Sequence, residues 1–281
     1  MTFSLAVPNK GRLKDPSVQL LADAGLSFEL TDRALSVPVR NIDMELLFVR
    51  TEDIPELVSD GVADVGITGT DLVAEHGNGL ETIVDLGYGH CRLVAAVPAS
   101  SEIEKTDEFS GMRVATAHPN ATARYFADRG IDVDVIALRG SVEVATKIGV
   151  ADAIVDLVST GSTLRVNGLR AVGTLIESQA ILVGRAGETD RAQVRQVATA
   201  FRAVTAGRLK RYLLLNAPAT ATAVIAELIP GLEAPTVVPL AEDDWVAIHS
   251  VVDAEHIWEL LPRLEAAGGK GILVLPIEQL L

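Results

Sequence analysis

The sequence predicts an α/β protein: two successive strand–helix series followed by a small ferredoxin-like module. Three observations predict it. Short apolar runs alternate with helical patterns, and the polar turns fall after the strands. The chain is 48% hydrophobic but only 4% aromatic, so its core must be built from Val, Leu, Ile and Ala, which suits strands buried on both faces between helices. The rhythm then changes near Arg211, after which two strand–helix patterns fit into the last stretch.

Phe3–Pro8 reads as a strand running into the polar cluster Asn9-Lys10-Gly11-Arg12, and Leu13–Ala24 has helical spacing that stops at Gly25. Leu35–Val39 and Met44–Val49 read as strands, Asp53–Ser59 as a short helix closed by Asp60-Gly61, and Ala63–Gly69 as a buried strand before the helix start Leu72–His76. The second series opens with the strand Leu93–Val97. Met112–Ala117, Val133–Leu138 and Ala153–Val158 follow as strands, with helices over Ala121–Arg129, Val142–Ile148 and from Ser162 to Val166. Ala171–Ile176 and Ala180–Val183 return as strands, and Asp190–Leu209 is the longest helix, its Val194, Val197, Ala198, Phe201 and Val204 at helical spacing. In the last part Ala219–Leu228 and Ile257–Ala267 read as helices, and Thr236–Leu240, Val246–Val252 and Gly271–Pro276 as strands.

The formal net charge of −14 lacks the cationic footprint that a phosphate backbone requires, so nucleic acid is not an expected partner. A few local Lys and Arg can still build a pocket for a small anion. The single cysteine, Cys91, permits no internal disulfide and reads as a small buried hydrophobe. No window approaches the roughly 18 apolar residues of a membrane span, and no signal-peptide pattern opens the chain, so a soluble cytoplasmic protein is expected.

The chemistry concentrates between Glu143 and Leu164, reading EVATKIGVADAIVDLVSTGSTL. A buried strand runs into Ser159-Thr160-Gly161-Ser162-Thr163, where a helix begins. Backbone N–H groups at such a start form an anion site, Gly161 permits close approach, and the hydroxyls add donors. Asp156 lies just before the loop, placed to face a sugar whose phosphate sits in it. Ser, Thr and Gly are also the ordinary residues of caps and turns, so the loop alone does not decide.

With Glu143, Gly149, Ala151, Ile154, Asp156, Leu157, Thr160, Gly161, Thr163 and Leu164 all in place, the stretch resembles the signature of the ATP phosphoribosyltransferase family. Val7–Leu13, Phe48-Val49-Arg50, Asp64–Asp71 (DVGITGTD), Arg113–Asn120 (RVATAHPN) and Asn167-Gly168-Leu169 are similar to the family's other loops. Pro230-Gly231-Leu232, Pro235-Thr236 and Ile272–Glu278 resemble the C-terminal third of its long form. One position departs: His118 stands where a tyrosine is expected.

The resemblance implies two periplasmic-binding-protein-like (type II) lobes with a cleft between them. Residues 1–92 and 171–211 would form the first lobe, 93–170 the second, and 212–281 a ferredoxin-like regulatory domain. It implies ATP and 5-phosphoribosyl 1-pyrophosphate as substrates and Mg2+ as cofactor, held mostly by substrate phosphates and water. It further implies AMP as a competitor, histidine as inhibitor and a homohexamer built from dimers. By the same resemblance Ser159, Thr160, Gly161, Ser162 and Thr163 cradle the 5′-phosphate, and Asp156 and Glu143 approach the ribose. Lys10 and Arg50 approach pyrophosphate or triphosphate, and Gly11, Thr68, Gly69, Asp71 and His118 lie on the nucleotide side. Asn216, Leu232, Thr236 and Gly271 fall to the histidine site. Each has a bland reading too: Lys10 as a solvated cap, Arg50 paired with Glu52 or Asp53, Asp71 as a helix N-cap, Glu143 on a solvated helix face. Arg33 is a further loop cation. Two alternatives share parts of the pattern. A prephenate dehydratase-like enzyme lacks its Thr-Arg-Phe here, the nearest stretch being Ala123-Arg124-Tyr125. A solute-binding module leaves the phosphate-loop spacing unexplained.

Overall fold

The computed structural model describes residues 2–30, 34–77 and 79–281; Arg33 lies outside them. In chain order the first lobe holds β1 (Phe3–Pro8), α1 (Lys14–Asp23), β2 (Ser36–Pro38), β3 (Met44–Val49), α2 (Ile54–Ser59), β4 (Val65–Gly69), α3 (Thr70–His76) and β5 (Leu80–Asp85). The second holds β6 (Cys91–Pro98), β7 (Arg113–Thr116), α4 (Pro119–Ala127), β8 (Asp134–Ala137), β9 (Ala153–Val158), α5 (Ser162–Val166) and β10 (Leu169–Ser178). β11 (Ala180–Arg185) then returns to the first sheet, whose order is β2-β3-β1-β4-β11-β5; the second sheet is β10-β6-β9-β7-β8.

The central strands β1, β4, β11 and β6 are buried on both faces, which is why they read as nearly unbroken apolar runs. In β6 the alternation is explicit: Leu93, Ala95 and Val97 pack with Phe109 and Phe126, while Val94 and Ala96 pack with Ile154, Leu164 and Leu169. Burying one such aliphatic side chain contributes about 1.5–3 kcal/mol. The strand ends therefore hold fixed positions, and the loops leaving β1, β4, β7 and β9 carry the polar residues.

Two expectations change, and one strand goes unread. Val142–Ile148 is no α-helix: only Val142–Val144 forms a 3-10 turn. The β-branched residues Val142, Val144, Thr146 and Ile148 crowd a helical turn, and Gly149 sits at φ +73°. β10 pairs with β6 from Leu169 to Ser178, so residues 171–178 belong to the second sheet rather than to the first lobe. The strand β5 went unread because it is an edge strand whose side chains are mostly outside the core.

Residues 26–198 and those before Asp23 form one compact unit; Asp23–Gly25 and Thr199–Leu281 form another. The division thus falls within α6 (Ala192–Arg208) and not at Arg211. The chain end explains it: Leu280 N–H donates to Ala203 C=O at 2.9 Å, drawing the C-terminal half of α6 into the second unit.

That unit continues with β12 (Lys210–Pro218), α7 (Thr222–Leu228), β13 (Thr236–Pro239), β14 (Trp245–Asp253), α8 (Ile257–Ala266) and β15 (Lys270–Pro276). The sheet order β13-β14-β12-β15, antiparallel throughout, is ferredoxin-like. Leu213, Leu215 and Ile248 meet Ile225 of α7 and Leu260 and Leu264 of α8, so both helices cover one sheet face. Among the described residues no helix is long and apolar enough to cross a membrane.

Candidate active site

A cleft of about 520 Å³ opens between the two lobes, where the strand ends meet. Lys10, Gly11 and Arg12 reach it from the loop after β1, Gly69 and Asp71 from the β4–α3 junction. Ala117 and His118 reach it from the loop after β7, and Leu157 from β9. Of the residues read as nucleotide-binding, the fold thus gathers Lys10, Gly11, Gly69, Asp71 and His118 in one cavity. Thr68 is wholly buried and donates its hydroxyl to the Thr51 carbonyl at 3.3 Å, so it braces the neighbouring loop instead.

Asp71 organises the cleft. It is buried, and Ser178 Oγ donates a short hydrogen bond to its Oδ1 while accepting from the Asp71 N–H at 3.2 Å. Its Oδ2 lies 3.3 Å from His118 Nε2. Burial pushes the Asp71 carboxyl up, but the hydrogen bonds of His118 and Ser178, with the charges of His118 and Arg12, outweigh it and hold the group below the usual carboxylate range. Asp71 is therefore a fixed anion and not a bare helix cap. His118 stands at the N-cap of α4; its ring bridges the lobes through Nε2, while Nδ1 is buried with no partner among the described residues.

Lys10 and Arg50 are exposed and, among the described residues, make no ion pair, so Arg50 does not pair with Glu52 or Asp53. Arg12, which the sequence did not single out as a site residue, donates to Cys91 Sγ at 2.7 Å and lines the cleft. Cys91 is buried, as a small hydrophobe would be. A second recess of about 500 Å³ holds Ser159 together with Thr70, Arg92 and Ser178. Asp71 thus faces the first recess and its partner Ser178 the second. Leu157 and Ser159, two residues apart at the end of β9, do the same.

The loop after β9 is exposed at Ser159, Thr160, Ser162 and Thr163. Gly161 adopts φ +74°, and a Cβ there would meet only Val158 Cγ1 at an ordinary 3.9 Å, so the backbone sign, not crowding, demands glycine. Asp156 Oδ1 accepts the Leu157 N–H at 2.8 Å. Burial raises the Asp156 carboxyl above its ordinary range; the Leu157 bond opposes this and the nearby Glu143 charge adds to it. Glu143 lies in the 3-10 turn, half-buried, not on a solvated helix face. Among the described residues no group of three or more His, Cys, Asp or Glu is arranged for a metal.

In the C-terminal unit, Asn216 lies within β12, not in a turn, opposite a register shift against β15. A Cβ at Gly271, φ +57°, would stand 4.0 Å from Asn216 Nδ2, so these two are neighbours. Thr236 opens β13, at the other edge of the sheet from β15, and Leu232 is exposed in the preceding loop. The four residues do not converge on one pocket within a single chain.

A family model described as ATP phosphoribosyltransferase matches residues 50–203, and one described as HisG, C-terminal domain matches residues 208–279. A protein named ATP phosphoribosyltransferase from Methanococcoides burtonii is 42% identical over 281 residues, covering 99% of each chain. One of the same name from Gemmatimonas aurantiaca is 43% identical over 289 residues, again covering 99% of each. Among solved structures, the ATP phosphoribosyl transferase (HisG:HisZ) complex from Thermotoga maritima matches at a TM-score of 0.59 with 31% identity, covering 71% of this chain and 93% of that chain.

Proposed function

This chain belongs to the ATP phosphoribosyltransferase family, and on that premise we propose how its cleft performs the reaction. The enzyme joins adenine N1 of ATP to the anomeric carbon of 5-phosphoribosyl 1-pyrophosphate and releases pyrophosphate, the first step of histidine biosynthesis. N1 has a free lone pair, so the new N–C bond forms as the C–O bond to pyrophosphate breaks, with no proton to remove beforehand. The work is positioning and charge: two polyphosphates must approach, and the ribose turns cationic in the transition state.

The observation that carries the assignment of roles is the buried Asp71 anion beside a cation-bearing loop, with the Ser-Thr-Gly loop of the second lobe next to it. Lys10, Arg12 and Arg50 then meet the triphosphate or the departing pyrophosphate. Gly69, Asp71 and His118 hold the nucleoside, and Ser159–Thr163 the 5′-phosphate through N–H and hydroxyl donors. Asp156 and Glu143 face the ribose hydroxyls. Their paired hard oxygens also fit a divalent cation, Mg2+, arriving on the substrates; it would screen the phosphate charge. AMP would compete for the nucleoside side. Pyrophosphate should appear only when both substrates are present. Lys10→Ala and Arg50→Ala should each raise KM without moving Tm, because among the described residues neither side chain makes an ion pair. A drop in Tm with unchanged kinetics would reverse that assignment.

The C-terminal unit we assign to regulation and assembly. On the sheet face opposite α7 and α8, Val238, Leu273 and Leu275 are exposed, and Asn216 and Thr236 share that face. Such a face fits contact with other copies, as in a hexamer built from dimers, and would bring separated edges of neighbouring sheets into one histidine site. For histidine to inhibit, it must bind one state better than the other, by about 1–3 kcal/mol for clear inhibition. Calorimetry should show histidine binding to the wild type and its loss in Thr236→Ala and Asn216→Ala, with turnover intact in the absence of histidine. No heat with the wild type ends the idea.

A further inference from the structure

The start of α4 is capped from the other lobe. Glu75, on α3 of the first lobe, is 3% exposed, and its two carboxylate oxygens accept the backbone N–H groups of Asn120 at 3.0 Å and Ala121 at 2.8 Å. Asn120 Nδ2 returns a bond to the Glu75 carbonyl at 3.2 Å. Pro119 has no N–H, and that of Thr122 is taken by the His118 carbonyl at 3.0 Å. One carboxylate therefore satisfies the free donors of this helix end and meets its positive dipole end.

Asp71 and Glu75 lie four residues apart on α3, on one face of the helix. They present two carboxylates to α4, Asp71 to His118 and Glu75 to the turn that follows, while Ala74 between them packs on the core of the second lobe. We propose that Glu75 is a positioning residue for the nucleotide: its cap on α4 fixes the two lobes so that Asp71 and His118 stand at the spacing the nucleoside needs. Glu75 does not line the cleft; it acts through His118. The inference rests on reading this cleft as the ATP site.

Two-lobed folds of this kind move about hinges, and a ligand's apparent affinity falls with the fraction of molecules in the competent arrangement. The nucleoside side draws on both lobes, whereas the loop 159–163 belongs to the second alone. Loosening the cap should therefore weaken ATP selectively. Glu75→Gln keeps one acceptor and loses the charge. KM for ATP should rise roughly 2- to 30-fold, the range of a lost helix cap, with KM for phosphoribosyl pyrophosphate and kcat unchanged. Glu75→Asp should recover part of the loss. Small-angle scattering should show the Gln variant more expanded than the wild type when no nucleotide is present. Should Glu75→Gln not fold, Asn120→Ala, which removes only the side-chain bond, should give the same selective rise on a smaller scale. A folded Gln variant with wild-type KM for ATP, or with both KM values and kcat impaired alike, overturns the proposal. A wild type without transferase activity defeats the reading of the cleft instead, and scattering then decides the cap: unchanged dimensions in the Gln variant refute it.

Discussion

Gly69→Ala should cripple the enzyme and lower its stability together. The backbone at Gly69, φ −95° and ψ 147°, suits alanine, so conformational strain is not the reason. Space is. A Cβ there would run into Asp71 Oδ1, which cannot yield without abandoning Ser178 Oγ. Overpacking of this kind typically costs about 1–3 kcal/mol, and a chain of this size loses roughly 2–4 °C of Tm per kcal/mol. The displaced carboxylate also leaves His118, so KM for ATP should rise sharply. Thermal melting with steady-state kinetics checks both effects; wild-type Tm and KM in the purified variant would mean that Asp71 neither anchors the cleft nor is packed as described.

Asp156→Asn should leave the fold intact and lower kcat by about 10- to 150-fold, the worth of one charge-assisted hydrogen bond at roughly 1.5–3 kcal/mol. Thr163→Val should act in the same direction through a lost phosphate donor. The electrostatics add a pH signature. Burial first, with Glu143 adding to it against the opposing Leu157 bond, raises the Asp156 carboxyl. Activity that needs the carboxylate is therefore lost on acidification at a higher pH than for an ordinary Asp near 3.9. Stability runs the opposite way: a raised folded pKa favours the fold below the unfolded pKa, and the contribution disappears as pH rises through the folded one. The acid limb of kcat/KM should flatten in Asp156→Asn. Near-normal turnover in folded Asp156→Asn and Thr163→Val would remove this loop from the site.

What the sequence disclosed follows the range of the interactions involved. Strands buried on both faces, such as Phe3–Pro8 and Ala153–Val158, are legible because their apolar runs are local, and so is the left-handed turn at Gly161. The resemblance names Lys10, Gly11, Arg50, Thr68, Gly69, Asp71 and His118 for the nucleotide, and all of these but Arg50 and Thr68 line one cleft. Ser178 and Glu75 were missed because nothing near them distinguishes an ordinary serine or glutamate: their partners lie 107 and 45 residues away. The helix expected over Val142–Ile148 failed where β-branched crowding prevailed over apolar periodicity. The return to the first lobe was misplaced because Ala171–Ile176 reads as a strand whichever sheet takes it; only pairing with β6 decides. The resemblance assigns Asn216, Leu232, Thr236 and Gly271 to one histidine site without saying how they meet, and Thr236 and Gly271 occupy opposite edges of the sheet.

The central claim is that this cleft joins adenine N1 to phosphoribose. Substitution at N1 changes the adenine chromophore, so absorbance near the adenine band, with ATP, phosphoribosyl pyrophosphate, Mg2+ and pyrophosphatase to draw the reaction forward, follows the bond itself. The wild type should give a steady absorbance change that requires both substrates and slows about 10- to 150-fold in Asp156→Asn. A pure, folded wild type that leaves the adenine spectrum unchanged under these conditions would contradict the account.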